Sequence, residues 1–80
     1  MARFLLSHRH DARECGSAFA AWHGYESPLR RRSTVGTCHS GGHALWWQVE
    51  ASSRAHALAQ LPPFLAERTE ALEVREVEIP

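Results

Sequence analysis

The 80-residue sequence predicts one α+β domain of βαββαβ order, and three observations carry that expectation. Apolar and polar residues alternate with the period of a strand near both ends of the chain. Stretches of helical spacing, each with a capping residue in front, follow the first and third strand-like segments. A glycine pair flanked by β-formers marks a hairpin between them. A chain this short holds one core, so residues 1–80 form a single domain. Such a domain buries only about 60% of the surface its unfolded chain exposes, and it gains most from a disulfide, a metal or a partner subunit.

Residues 3–9, Arg-Phe-Leu-Leu-Ser-His-Arg, read as the first strand, with Phe4, Leu6 and His8 on one face and Leu5 on the other. Asp11 has the residue type of a helix N-cap and Glu14 is its capping-box partner. Cys15, Ala18, Phe19 and Trp22 follow as a buried helical stripe, and Gly24 with Ser27-Pro28 ends it. Ser33 to Cys38 is the second strand and His43 to Glu50 the third, joined across Ser40-Gly41-Gly42. Ser52 or Ser53 caps a second helix carrying Ala55, Leu58, Ala59 and Leu61, which Pro62-Pro63 interrupts before Phe64 and Leu65. Leu72 to Ile79 alternates again and reads as the fourth strand.

Right-handed crossovers turn this order into a ferredoxin-like, four-stranded antiparallel sheet, with strand 1 beside strands 3 and 4 and two helices on one face. The other face is then bare. Trp46 and Trp47 are adjacent in a central strand, so they point to opposite faces and only one lies under the helices. A homodimer formed through the open sheet face would cover the other.

The opening strand RFLLSHRH, the stretch Gly-Gly-His-Ala-Leu-Trp-Trp-Gln-Val-Glu-Ala and the terminal Val-Arg-Glu-Val-Glu-Ile resemble the dimeric α+β barrel proteins. That group of small ferredoxin-like chains pairs through its sheets. It includes muconolactone isomerase-like enzymes, cofactor-free monooxygenase-like proteins and nickel-binding members. The resemblance is one of pattern across nearly the whole chain, so it implies fold and pairing more than activity.

Nine Arg balance nine acidic residues with no Lys, for a net charge of zero. This argues against a phosphate-binding surface, and so against a nucleic-acid partner or a nucleotide cofactor. Arg30-Arg31-Arg32 reads as a solvated loop, with an anion site as the lesser alternative. No stretch is long and apolar enough to span a membrane, and the first residues lack the apolar core of a secretory leader, which points to the cytoplasm. Two Cys in that compartment are expected to be free thiols or ligands.

The predicted topology gathers His8, His10, Cys15, Cys38, His39 and His43 at one pole of the sheet, and leaves His23 and His56 near the other. His8 and His10 are two residues apart on one strand face, about 6.5 Å between Cα atoms, so two imidazoles can converge on one ion. Imidazole with thiolate suits Ni, Zn or Cu, and a transition-metal site is the leading expectation. A second reading makes His8 or His10 a catalytic base. It would stand at the mouth of a cleft lined by Phe4, Leu6 and Trp46 or Trp47, acting on a small apolar acid or lactone. A third is a non-catalytic interaction or regulatory module, compatible with Glu73, Glu76 and Glu78 on the last strand. The plainest alternative leaves the histidines bonded to loop carbonyls and Cys15 as a small hydrophobe in the core.

Overall fold

Alternation at the N-terminus gives β1, Ala2–Arg9, whose inward residues Phe4, Leu6 and His8 are buried. The computed structural model describes every residue from Met1 to Pro80. The Asp11 capping box forms, with its carboxylate accepting from the Arg13 N–H and the Glu14 carboxylate accepting from the Asp11 N–H. It opens a 3₁₀ turn, Ala12–Glu14, that runs into α1, Cys15–Ala20. Beyond a long connection, β2 is the two-residue Val35–Gly36. A second 3₁₀ turn spans Cys38–Ser40, and β3 is Ala44–Ala51.

Ser53 caps α2, Arg54–Leu58, by accepting from the His56 N–H. Pro62 and Pro63 end that helical course and begin α3, Pro63–Ala66, because a proline ring fits the first turn of a helix but not its interior. β4 is Thr69–Val74. The strands form one antiparallel sheet in the order β2-β3-β1-β4.

Phe4, Leu6, Leu45, Trp47, Val49, Ala51 and Ala71 face the helices and pack with Ala57, Leu61 and Leu65 as the core, joined at its edge by Trp22 and Leu29. The other face carries Leu5, Ser7, Trp46 and Leu72, and no helix covers it. Trp47 is therefore the covered tryptophan. Trp46 is half-buried on the open face, where its indole N–H donates to Ser7 Oγ at 3.1 Å. No helix is long and apolar enough to cross a membrane.

Three elements differ from the expectation. The first helix stops at Ala20, short of Trp22, and its expected stripe is fully buried only at Ala18, with Phe19 51% exposed. The second strand shrinks from Ser33–Cys38 to two residues, because the chain tightens into the 3₁₀ turn at Cys38. The fourth strand starts at Thr69 instead of Leu72 and stops at Val74 instead of Ile79. Val74 pairs with Arg3 near the start of β1, so the chain beyond it has no strand to pair with and Val77 and Ile79 are exposed.

Candidate metal centre

Three segments meet beyond the ends of β1 and β3. His10 follows β1 directly, and its backbone N–H donates to the His43 carbonyl at 3.2 Å, extending the β1–β3 ladder by one step. Cys15 begins α1 and is placed by the capping box before it. Glu14 of that box is also bound by Arg68, from Nη2 at 2.9 Å and Nε at 3.1 Å to one carboxylate oxygen. This ion pair, with the Asp11 N–H, holds the Glu14 carboxyl below its ordinary pKa. The start of the helix is thus fastened to the corner between α3 and β4.

Cys38 and His43 stand at the two ends of the turn between β2 and β3. Thr37 holds that turn: its carbonyl accepts from Ser40 and Gly42, and its hydroxyl accepts from the Ala44 N–H. A Cβ on Gly42 would come within 2.6 Å of the Thr37 Cβ, so only glycine fits there. His43 has φ 55°, a left-handed conformation uncommon for a residue with a side chain, and its ring lies 5.6 Å from that of His10.

The outcome is a His10-x4-Cys15 and Cys38-x4-His43 arrangement whose four potential ligand atoms all lie within 4.8 Å of one another. Both thiols are free. His10 Nε2 and His43 Nδ1 are buried without a hydrogen-bond partner, and they are the only side-chain nitrogens or oxygens of the chain so placed. Buried polar atoms are nearly always satisfied, so two orphans inside one cluster require an explanation.

Hydrogen bonding fixes what His10 offers. Thr69 Oγ1 donates to the Leu65 carbonyl at 2.6 Å, which can only accept, and so it must accept from His8 Nδ1–H at 2.9 Å. His8 Nε2 is then unprotonated and accepts from His10 Nδ1–H, also at 2.9 Å. His10 Nε2 is left as a buried lone pair without a partner. A backbone carbonyl thus sets the tautomer of a histidine three bonds away, the usual arrangement behind a metal-binding imidazole. Burial, reinforced by His10, holds the His8 pKa below the ordinary histidine value and so favours the neutral ring.

The six residues expected at this pole are therefore divided. His10, Cys15, Cys38 and His43 come together. His8 stands one step behind His10, and His39 is exposed on the outside of the turn. The 3₁₀ turn and the left-handed residues Gly41 and His43 replace the expected tight hairpin, and they put His39 and His43 in different surroundings. His8 and His10 do not stand at the mouth of a cleft: they are 0% and 6% exposed, and neither lines any of the three surface clefts. Thr69 was not anticipated. Its signal was its place opposite His8 in the β1–β4 register, which appears only once β4 begins at Thr69.

The geometry defines a small α+β protein with a His/Cys group close enough to hold a metal ion. Comparison with protein-family models, with curated proteins and with solved structures gives no match.

Proposed function

We propose that this chain is a zinc-binding α+β domain in which the metal acts as a structural cross-link. One observation carries the reading: His10 and His43 each hold a buried, unpartnered ring nitrogen, and each brings a ligand atom within 4.8 Å of two free thiols. A Cys15–Cys38 disulfide would use the sulfurs but leave both imidazole nitrogens unsatisfied. A metal ion satisfies all four.

Two sulfurs and two nitrogens favour tetrahedral zinc over nickel(II) or copper(II), which prefer flatter nitrogen and oxygen sets. Zn–N and Zn–S bond lengths put tetrahedral ligand atoms roughly 3.3–3.8 Å apart, so the widest pair closes by about 1 Å on binding. Four protein ligands leave no position for substrate, which makes the site structural and not catalytic. The placement suits that role, since the ion would tie the end of β1, the start of α1 and the β2–β3 turn into one unit in a chain with little core.

The test is metal analysis of protein purified without added metal, followed by cobalt substitution. One zinc per chain is expected, with tetrahedral cobalt bands and thiolate charge transfer that vanish in Cys38→Ser and His43→Ala and persist in His39→Ala. A Cys15–Cys38 disulfide in the freshly purified protein, or His39→Ala behaving like His43→Ala, would overturn the reading.

We further propose that the fold is ferredoxin-like and that a second copy of the chain covers the open sheet face. Support for the first is the position of β1 between β3 and β4, with β2 outside β3. Support for the second is the apolar group of Leu5, Trp46 and Leu72 on that face. Sedimentation equilibrium tests it: a wild-type dimer that Trp46→Glu converts to a monomer of unchanged zinc content is expected, and a monomeric wild type sinks it.

A further inference from the structure

The chain has a second place where chemistry collects, away from the His/Cys group. Between α1, the connection that follows it and β3 lies a cleft of about 310 Å³. Its floor is apolar: Trp22, Leu29, Leu45 and Trp47, with Phe19 forming one wall at 51% exposure. The two indoles lie 6.0 Å apart and tilted. Its rim is cationic, formed by Arg30, Arg31 and Arg32, and no acidic residue lines it.

The side chains of the arginine run, like those of Arg9 and Arg75, have no acidic partner within 4.0 Å and no hydrogen bond, so their charges are free to meet an anion. The run departs from a solvated loop in two respects. Arg30 is half-buried. The loop is also held in place: Tyr25 Oη donates to the Ala59 carbonyl, Ser27 Oγ donates to the Gln60 carbonyl at 2.6 Å, and Ser27 Oγ accepts from the Leu29 N–H. Successive turns, Arg30 N–H to Ser27 and Arg32 N–H to Leu29, then carry Leu29 inward, with Arg31 at φ 66°. A backbone held in a left-handed conformation at a non-glycine residue keeps three like charges together at one edge of an apolar floor.

We propose that this cleft is a binding site for a small aromatic carboxylate. An aromatic body fits beside two indoles and a phenyl ring, and the volume lies at the lower end of the range for small-molecule pockets, roughly 300–1,000 Å³. Guanidinium groups match a carboxylate in shape and charge, and the anion relieves the mutual repulsion of the rim. The site is distinct from the metal centre, and zinc content measured on the same sample separates the two readings.

The experiment titrates the intact protein with 2-naphthoate, its neutral counterpart 2-naphthamide, and acetate, following the indole N–H signals by NMR. Saturable shifts at Trp22 and Trp47 with 2-naphthoate are expected, with Trp46 on the opposite face unmoved. Binding should be about tenfold tighter than for the amide, the ratio that one charge-assisted hydrogen bond supplies. Acetate should produce no shift at the same concentration. The variant Arg30→Gln/Arg31→Gln/Arg32→Gln should bind naphthoate no better than naphthamide, with its zinc content and melting temperature unchanged. Phe19→Ala should weaken both ligands alike. The proposal is overturned by equal binding of acid and amide, by acetate reproducing the naphthoate shifts, by no saturable shift with naphthoate, or by an arginine variant that keeps the preference.

Discussion

The two ends of the sheet carry similar residue types and treat them oppositely. At the end where β1 finishes and β3 begins, three imidazoles and two thiols are drawn inward, and two ring nitrogens find no partner. At the other end, His56 is exposed on α2, and its Nδ1 is partnered by the Ser52 hydroxyl. The nearby Arg3–Glu76 pair, 3.9 Å apart with side chains 42% and 90% exposed, lies mostly in water. The presence of histidine does not by itself separate these ends. Burial without satisfaction does, because water can complete the polar groups of one end and cannot reach those of the other.

The sharpest way to break that contrast is to remove the cross-link. Chelation, or Cys38→Ser, should cost at least about 3 kcal/mol, which for a chain of this size is roughly 12–24 °C in melting temperature. His56→Ala at the opposite end should cost about 1 kcal/mol or less. Calorimetry of the three proteins checks this. Equal losses at the two ends would remove the distinction between them. A smaller effect is expected one step behind the ligands. Thr69→Val keeps the shape of the side chain but leaves His8 Nδ1–H without its acceptor, so the His10 tautomer is no longer imposed. Metal affinity should fall about tenfold or more, measured by competition with a chelating dye, while Thr34→Val on the same scale changes nothing.

The sequence made the elements legible where side-chain period and capping chemistry act locally. Phe4, Leu6 and His8 share a strand face by alternation alone, and the Asp11–Glu14 capping box forms as its spacing requires. The pole of the sheet at which His and Cys collect was legible too, since it depends only on element order. The division of labour within it was not. His8 faces the core as Leu6 and Phe4 do, but only the β1–β4 register, which puts Thr69 opposite it, separates its role from that of His10. His39 and His43 look equivalent across a hairpin until the positive φ angles of Gly41 and His43 place one outside and one inside. The start of β4 was hidden for a related reason. Its inward residues, Thr69 and Ala71, are small or polar, while Leu72 faces the open side, so the apolar alternation begins three residues late.

A pH series sharpens the same comparison with a milder effect. Glu14 binds Arg68 with its side chain 29% exposed, and its folded-state pKa is depressed below the ordinary value. A depressed carboxylate contributes stability that is fully present above the unfolded pKa and is lost as pH falls through the lower folded pKa. Wild type should therefore exceed Glu14→Gln in denaturation midpoint at neutral pH, and the difference should shrink as the solution is acidified below the ordinary glutamate value of 4.5. Measurement in chelator keeps metal release out of the result. A difference that stays constant down to acid pH would show that the carboxylate charge is not what fastens the start of α1.

The smallest effect belongs to the far end, and its smallness is the point. Arg3 and Glu76 meet at 3.9 Å, but Glu76 lies beyond the last paired residue of β4, where nothing holds the chain to the sheet. Two long side chains lose rotamer freedom to form a contact that water already screens, so the pair is worth about 0–1 kcal/mol. Glu76→Gln should shift the urea midpoint by no more than the error of the measurement, at low and at high salt alike. A shift comparable to that of Glu14→Gln at neutral pH would mean that the tail after Val74 is docked in solution. The far end would then be a second ordered pole, and the contrast would rest on the unpartnered nitrogens alone.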